Sequence, residues 1–297
     1  MSISVGLIGL GKMGHAICNR LLDTGVDVHI HNRTYEKAEP LIRRGATWKI
    51  NLKALAASAN IILVCVSGDD ALRAIYYSDL EGLLSSLEEN QTVVDFSTLS
   101  AESAIELHQA FGNIGTHYLE CPISGGVEGA IKGQLSAIVS GSQEAYSIAH
   151  PTLTKICKSI SYVKQPGKAQ RLKILNNLAE SINLAGALEV IHQGQALGLD
   201  LDSMADVFTS CRGRSAYMQV SLDYILSGLT TSHVTLAVRC KDLNLAKSQL
   251  PDFKAYPATA MAIQCFTDAK RAFGDNGDQC QYFSLLATDG MLNHEPT

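Results

Sequence analysis

The longest helical pattern of apolar and polar positions in the chain runs from Gly167 to Leu199. Apolar residues recur there at steps of three and four, the spacing of a helix with a packed face, and Gly198 predicts the helix end. Lys173 and Asn177 are four positions apart and therefore share one face of this helix. The residues that predict the packed face are Leu172, Leu175, Leu178, Ile182, Ala185, Leu188 and Ile191.

Short apolar runs alternate with helical patterns over the first 165 residues, and after Leu199 only helical patterns follow. Alternation of this kind is typical of a doubly wound α/β sheet, whereas helices alone predict an all-α region. We therefore predict an α/β domain over residues 1–165 and an all-helical domain over residues 166–297, joined by the long helix. Strands are predicted at 3–8, 26–30, 60–66, 91–96, 116–119, 135–139 and 160–163, and helices at 34–44, 71–87, 100–111, 204–209, 216–227, 236–249 and 257–273.

A glycine-rich loop follows the first predicted strand and opens the first helix. Its glycines have GxGxxG spacing inside a strand–helix–strand unit of about thirty residues, which is typical of a Rossmann-type dinucleotide site. The first glycine permits a tight turn, the second lets backbone approach a pyrophosphate, and the third lets helix and strand pack closely. A glycine-rich packing turn is the alternative. The predicted cofactor-binding loop is Gly9, Leu10, Gly11, Lys12, Met13 and Gly14.

The residues at the end of the second strand bear on the choice of cofactor. NAD sites usually have a carboxylate there, which accepts a hydrogen bond from the ribose 2′-hydroxyl. This chain has Asn32, Arg33 and Thr34 instead, and an arginine can pair with a 2′-phosphate. We therefore predict NADP, with NAD as the other possible cofactor. The structural alternative is that Arg33 is a solvated loop charge.

Three further loops are selected because ligands of doubly wound sheets bind beyond the carboxyl ends of the strands. Val66 and Ser67 follow one predicted strand, and Thr98 follows the next. In the third loop, consecutive glycines let several backbone N–H groups point at one anion. We expect it to hold a small carboxylate-bearing substrate, and a flexible turn is the alternative. This loop consists of Ser124, Gly125 and Gly126.

The composition of the chain disfavours several classes of binding partner. A net charge of −5 disfavours nucleic acid and anionic membrane surfaces as partners. No apolar run approaches eighteen residues and no leader-like segment precedes the first strand, so we expect no membrane association and a cytoplasmic location. Eight scattered cysteines without a CxxC pair indicate buried free thiols. His29 and His31 have no third metal ligand nearby, so no metal is predicted.

Six motifs occur in order along the chain: the glycine loop at 9–14, Asn32-Arg33-Thr34, Ser97-Thr98, Pro122-Ile123-Ser124-Gly125-Gly126, the Lys173-to-Asn177 segment, and Lys241-Asp242-Leu243-Asn244-Leu245-Ala246. Together they resemble the 3-hydroxyacid dehydrogenases, which include 3-hydroxyisobutyrate dehydrogenase, tartronate semialdehyde reductase and glyoxylate/succinic semialdehyde reductase. The family shares its dinucleotide domain with 6-phosphogluconate dehydrogenase. The resemblance covers nearly the whole chain. It implies an NADP-dependent oxidoreductase that interconverts a small 3-hydroxy acid and its semialdehyde, in a homodimer or homotetramer.

The resemblance also implies roles for individual residues. Lys173 looks like the catalytic lysine of the family, Asn177 like its substrate-positioning amide, and Lys241 like a lysine on the cofactor side. Arg214 resembles a turn arginine that could hold a carboxylate, and a surface charge is the alternative. A free lysine titrates near about 10.4, so we expect burial and the positive end of the helix to lower the pKa of Lys173 for general acid/base work.

Two other functions compete with a hydroxyacid dehydrogenase. Imine reductases resemble the chain as well, but they usually carry an acid or a tyrosine at the position of Lys173. A sensor or scaffold protein that binds NADP without turnover would need neither Lys173 nor Asn177. The intact residues therefore favour the dehydrogenase.

Overall fold

The computed structural model describes residues 4–66, 69–78, 82–228, 231–250 and 252–287. The chain divides into two units, Met1–Lys173 and Ile174–Thr297, with the border inside one long helix. Every strand of the described residues belongs to the first unit, and the second unit is built from helices. The strands are β1 (Ser4–Ile8), β2 (Asp27–His31), β3 (Thr47–Trp48), β4 (Ile61–Val64), β5 (Thr92–Asp95), β6 (His117–Glu120), β7 (Ile123–Ser124), β8 (Leu135–Ser140) and β9 (Cys157–Lys164).

These strands form one sheet with the order β3-β2-β1-β4-β5-β6-β8-β7, and β9 also pairs with β8. The strands from β3 to β6 in this order run parallel, whereas β8 is antiparallel to both β6 and β7. The order 3-2-1-4-5-6 is that of dinucleotide-binding sheets. The direction of strand addition reverses between β1 and β4, where such sheets bind their ligands.

Helices cover both faces of this sheet. On one face Ile17, Leu21 and Leu153 pack in one apolar cluster, and on the other Leu55 and Phe111 pack in a second. Because both faces are covered, β1, β4 and β5 are almost wholly buried, and β4 is apolar at every position. The helices of this unit are α1 (Lys12–Asp23), α2 (Glu39–Arg43), α3 (Leu52–Ala56), α4 (Asp69–Tyr77), α5 (Leu83–Ser86), α6 (Ala101–Asn113), α7 (Gly126–Lys132) and α8 (Gln143–Ile156).

The long helix leads from the first unit into the second. In the second unit Ile174, Leu184 and Leu188 pack with Leu236 and Phe266 in the core of the helical part. Gly198, with a φ of +78°, follows the end of the long helix as predicted. The helices are α9 (Lys168–Ala196), α10 (Leu201–Ser210), α11 (Ala216–Leu226), α12 (Leu236–Gln249), α13 (Pro257–Phe273) and α14 (Tyr282–Ala287).

The architecture confirms the predicted fold class, a doubly wound sheet followed by helices, but two predicted helices are wrong. The pattern at 71–87 forms α4 and α5 separately: Gly82, the N-cap of α5, has an extended backbone with φ −68° and ψ 154°, and residues 79–81 lie outside the described residues. The pattern at 34–44 splits into a 3₁₀ turn at 35–37 and α2, where Pro40 lies in the first turn. None of the helices described combines the length and apolar character needed to cross a membrane.

The predicted packed face of α9 is also wrong over its first two turns. Leu172 and Leu175 are 40% and 51% exposed, whereas Gln170, Lys173 and Asn177 are 0%, 7% and 5% exposed. Both sets of residues recur at helical spacing, so the period alone did not distinguish them. Polar residues therefore take buried positions that the apolar pattern assigned to leucine. From Leu178 onward the prediction holds, since Leu178, Ala185, Leu188 and Ile191 are buried and Ile182 packs against the same core.

Candidate functional site

The glycine loop lies where the strand order of the sheet reverses, between β1 and β4. Gly9 has a φ of +94°, and a Cβ at this position would lie 2.3 Å from the Cys65 carbonyl oxygen. A Cβ at Gly14 would lie 1.9 Å from the Gly9 carbonyl oxygen. Any side chain at either position would collide with backbone, so the loop needs both glycines to pack against β4 and α1.

The middle glycine, Gly11, lies in a different environment. A Cβ at Gly11 would meet no atom within 4 Å, and its φ of −69° suits any residue. Gly11 is the N-cap of α1, where no side chain accepts a hydrogen bond from the first turn and no acidic residue occurs. Backbone N–H groups at a helix start attract anions. The open space in front of these groups fits the pyrophosphate of a dinucleotide.

The end of β2 is bound to the glycine loop through Asn32. The Asn32 Oδ1 accepts a hydrogen bond from the Leu10 N–H at 3.0 Å, and its Nδ2 donates to the Thr34 carbonyl at 2.8 Å. Arg33 and Thr34 are exposed beside it. The amide of Asn32 therefore orders this loop from within, and Arg33 is the cation that can meet a phosphate group.

The loops after β4 and β5 lie along the same end of the sheet. Val66 packs against the glycine loop, because a Cβ at Gly9 would lie 2.7 Å from the Val66 Cγ1 atom. Ser67 lies outside the described residues. Thr98 is half-buried, and the loop that carries it begins at Ser97, whose N–H donates to the Asp95 Oδ1 at 2.8 Å.

Asp95 is a fully buried carboxylate at the end of β5. Its Oδ2 accepts hydrogen bonds from the Tyr76 hydroxyl at 2.7 Å and from the Tyr118 hydroxyl at 3.0 Å. Burial raises the pKa of Asp95, and the hydrogen bonds from Ser97, Tyr76 and Tyr118 oppose that rise. The same contacts raise the pKa of both tyrosines, although burial is the larger cause. The carboxylate thus fixes the start of the Thr98 loop.

The predicted anion loop begins on β7, where Ser124 pairs with Ser136 of β8. Gly125 and Gly126 follow with φ values of +122° and +64°, which L-residues rarely adopt. A Cβ at Gly126 would meet no atom within 4 Å. The loop therefore has both the backbone conformation and the open space that a small anion needs.

Lys173 lies in the second turn of α9 and is 7% exposed. Gln170, one turn earlier on the same face, binds the loop that carries Thr98. Glu120, at the end of β6, binds the start of α9. Within the first unit the structure thus joins the helix of the predicted catalytic lysine to the loop of the predicted nicotinamide neighbour.

Asn177 lies in the second unit, on the same face of α9 as Lys173. Its Nδ2 donates to the Asp242 Oδ2 at 2.8 Å, and the Lys241 Nζ lies 3.2 Å from the Asp242 Oδ1. Asp242 therefore joins two residues that the sequence named separately. The Asn177 Oδ1 is buried and has no hydrogen-bond partner in the part of the chain that is described. A substrate hydroxyl is the kind of donor that would satisfy such an atom.

Two of the four arginines in the helical unit, Arg214 and Arg239, differ in environment. Arg214 is exposed in the turn before α11, and its Nη1 lies 3.4 Å from the Ser210 carbonyl oxygen. Arg239 is 2% exposed and donates to the Gln279 Oε1 at 2.9 Å and to the Tyr217 hydroxyl at 2.8 Å. Arg239 thus belongs to the core, and Arg214 is accessible to a ligand.

Sequence reasoning assigned no role to four polar residues that organise these loops, although one of them, Asp242, lies in a named motif: Asp95, Glu120, Gln170 and Asp242. Asp95 and Glu120 end apolar strand patterns, and Gln170 precedes Lys173 by one helical turn, so their positions were available as signals. Their partners were not, because they lie up to 73 residues away in the chain. Among the described residues no group of three or more potential metal ligands occurs, and the His31 Nδ1 is bonded to the Lys49 carbonyl oxygen.

Comparison with known proteins relates both parts of the chain to dehydrogenases. Residues 4–164 match the family model described as the NAD binding domain of 6-phosphogluconate dehydrogenase. Residues 167–286 match the model described as NAD-binding of NADP-dependent 3-hydroxyisobutyrate dehydrogenase. 2-(Hydroxymethyl)glutarate dehydrogenase of Eubacterium barkeri is 30% identical over 92% of this chain and 91% of its own. L-threonate dehydrogenase of Cupriavidus necator is 27% identical over 94% of each chain.

Solved structures are similar over nearly the whole length. Psf3 in complex with NADP+ and 2-OPP is 57% identical and has a TM-score of 0.92, with 95% of this chain and 99% of Psf3 covered. The 3-hydroxyisobutyrate dehydrogenase of Salmonella typhimurium is 23% identical, with a TM-score of 0.86 and coverage of 96% and 100%. At 23% identity the second likeness concerns the fold alone.

Proposed function

This chain belongs to the 3-hydroxyacid dehydrogenase family, and from that premise we propose that it interconverts a small 3-hydroxy acid and its semialdehyde with NADP. As a member of the family it is an NAD(P)-dependent oxidoreductase that acts on a hydroxy acid. The choice of NADP, the substrate and the roles of individual residues are our proposals.

One observation carries the proposal: Lys173 and Asn177 are buried on one face of α9 while Leu172 and Leu175 of the same turns are exposed. Burying a lysine and an amide in place of two leucines costs free energy, since polar groups lose water and apolar groups remain in it. Such an arrangement is expected where the polar groups are needed for chemistry.

We assign the proton transfer to Lys173. A bound nicotinamide supplies the hydride chemistry. In the oxidation direction the substrate hydroxyl gives its proton to the Lys173 Nζ, and in the reduction direction Nζ returns a proton to the carbonyl oxygen. Asn177, one turn along the same face of α9, positions the substrate, while Lys241 lies on the cofactor side.

The substrate carboxylate is assigned to the loop of Ser124, Gly125 and Gly126, with Arg214 as a second anion-binding group. Backbone N–H groups in a glycine loop and an arginine both suit a carboxylate. The names of two relatives, a 2-(hydroxymethyl)glutarate dehydrogenase and an L-threonate dehydrogenase, are consistent with a hydroxy acid of this kind.

The preference for NADP rests on Arg33. It is exposed at the end of β2, and neither Asn32 nor Thr34 beside it is a carboxylate that would repel a 2′-phosphate. The NADP+ bound to Psf3, which is 57% identical, supports the same choice. The remaining binding groups are the glycine loop of residues 9–14, Val66, Ser67 and Thr98. We also propose that residues 1–165 and residues 166–297 form two domains, and that the protein is a homodimer or a homotetramer.

The test is a substrate panel with NADPH and with NADH. We expect NADPH to be oxidised with at least one of five candidate substrates: glyoxylate, succinic semialdehyde, tartronate semialdehyde, methylmalonate semialdehyde or 2-OPP. Turnover with NADH is expected to be slower. Faster turnover with NADH would contradict the role of Arg33. Tight NADPH binding without turnover on any carbonyl would favour a sensor, and turnover on cyclic imines alone would favour an imine reductase.

The variant Lys173→Ala tests the mechanism. Loss of a general acid/base lowers kcat by about 10²–10⁴-fold, while NADPH affinity stays within about threefold of the wild type. Lys53→Ala removes an exposed helical lysine of the same unit and serves as the matched control, with kcat unchanged. Near-normal turnover of Lys173→Ala would refute the proposed role.

A further inference from the structure

Gln170, one turn before Lys173, has a buried side-chain amide whose oxygen and nitrogen are both hydrogen-bonded. Its side chain is 0% exposed. The Gln170 Oε1 accepts a hydrogen bond from the Leu99 N–H at 3.1 Å, and its Nε2 donates to the Ser97 carbonyl at 2.9 Å. One side chain therefore binds the backbone on both sides of Thr98, as a neighbouring strand would. The loop is tied to the helix that carries Lys173, one turn away.

The first turn of α9, which carries Gln170, is held in place by Glu120. Its Oε2 accepts from the Gln170 N–H at 3.2 Å, and its Oε1 accepts from the Gly167 N–H at the entry to α9. Ser140 and His108 hold the same carboxylate at 2.7 and 3.1 Å. A carboxylate at a helix N-terminus satisfies N–H groups and complements the helix dipole. The first turn of α9 is thus bound to β6, β8 and α6.

The loop that carries Thr98 is also held by Asp95. The Ser97 N–H donates to Asp95, while the Ser97 carbonyl accepts from Gln170. Gln170 from α9 therefore holds both peptide groups that flank Thr98, and Asp95 from the sheet holds the peptide group before Ser97. Movement of Thr98 relative to Lys173 requires breaking at least one of these hydrogen bonds.

We infer that Gln170 is a positioning residue for the reaction: its amide holds the Thr98 loop, on the nicotinamide side, at a set separation from Lys173. Hydride transfer and proton transfer must occur at one substrate carbon and its oxygen, so the two partners need a fixed spacing. Misplacement by about 1 Å can cost about 10²-fold in rate. This inference rests on the proposed role of Lys173.

The chain contains a matched control in Gln91, which immediately precedes β5, whereas the Thr98 loop follows that strand. Gln91 is 6% exposed, its Nε2 donates to the carbonyl groups of Ala56 and Ala59, and its Oε1 accepts from the Glu88 N–H. It too is a buried amide that bridges backbone beside β5. It differs from Gln170 in lying away from the carboxyl ends of the strands.

The experiment compares Gln170→Met with Gln91→Met, since methionine keeps the side-chain length and removes the amide. We expect Gln170→Met to lower kcat at least about tenfold, with NADPH Kd and substrate KM within about threefold of the wild type. Gln91→Met is expected to lower Tm at least as much and to leave kcat within about twofold. Should Gln170→Met fail to melt cooperatively, Gln170→Glu, which keeps an acceptor for the Leu99 N–H, replaces it in the comparison.

Two results would overturn the inference. One is a kcat for the Gln170 variant that falls no further than that of Gln91→Met. The other is a parallel loss of kcat, NADPH affinity and Tm, which a merely structural amide would produce. Lys173→Ala separates this failure from that of the mechanism: if Lys173→Ala abolishes turnover and Gln170→Met does not lower it, the lysine role stands and the positioning role fails.

Discussion

Individual glycines of the cofactor loop meet different physical requirements, although they belong to one motif. Gly9 and Gly14 are required by contacts inside the chain, where a Cβ would overlap backbone oxygen atoms. Gly11 has no such contact. Its lack of a side chain matters for a molecule that approaches the start of α1. The motif therefore combines a folding requirement with a binding requirement, and the two can be separated by substitution.

We expect Gly14→Ala to lower Tm strongly, because its Cβ would lie 1.9 Å from the Gly9 carbonyl oxygen and the loop must move. Gly11→Ala is expected to keep Tm within about 2 °C and to weaken NADPH binding at least about tenfold, because the methyl group enters the space in front of the helix start. Thermal melting and NADPH fluorescence titration measure the two effects. Equal losses of Tm in both variants would contradict this division.

Among the elements, α9 depends most on residues remote in sequence. Its start is capped by Glu120, 47 residues before Gly167, and its first turns bury polar residues. Burial alone would raise the pKa of Glu120, but hydrogen bonds from His108, Ser140 and Gly167 outweigh it and lower the pKa. A carboxyl group with a lowered pKa stabilises the folded state above its ordinary pKa of 4.5 and loses that contribution as the pH falls through the folded value.

Replacement of the cap by Glu120→Gln is expected to lower the free energy of unfolding by about 1–3 kcal/mol at neutral pH, because the new amide N–H₂ faces buried donors. The difference from the wild type shrinks as the pH falls from 4.5 through the lower pKa of the folded state, where the wild-type carboxyl group becomes neutral like the amide. Urea unfolding across this pH range measures it. Glu128→Gln, on the exposed surface of α7, is the control and is expected to have no effect. If the difference in the free energy of unfolding between wild type and Glu120→Gln does not depend on pH, Glu120 does not act as a charged cap.

Across the whole molecule, the eight cysteines test how well composition predicts burial. All are free, as predicted, and six are buried while Cys65 is half-buried. Cys211 is exposed, contrary to the expectation of buried thiols. Burial raises the pKa of Cys18, Cys65, Cys157 and Cys280 to about 12, so these thiols carry almost no thiolate at neutral pH.

We expect one of the eight thiols of the native protein to react rapidly with Ellman's reagent, and all eight to react in guanidinium chloride. In Cys211→Ser the rapid reaction is lost, because the remaining thiols are shielded and protonated. Absorbance at the nitrothiobenzoate band counts the reacted groups. Two or more rapid thiols in the native wild type would show that the fold opens at another cysteine.

The sequence by itself determined what depends on near neighbours: the alternation of strands and helices, the glycine loop between β1 and α1, and the ends of α9, α12 and α13. Hydrophobic period and turn chemistry act over a few residues, so they can be read along the chain. The tertiary structure alone decided which face of α9 is buried. Leu172 and Leu175 repeat with the same spacing as Gln170, Lys173 and Asn177, and the choice between them depends on Ser97, Leu99, Glu120 and Asp242, which are distant in sequence. The separation of Thr98 from Lys173 is set by those same long-range hydrogen bonds, which no local pattern encodes.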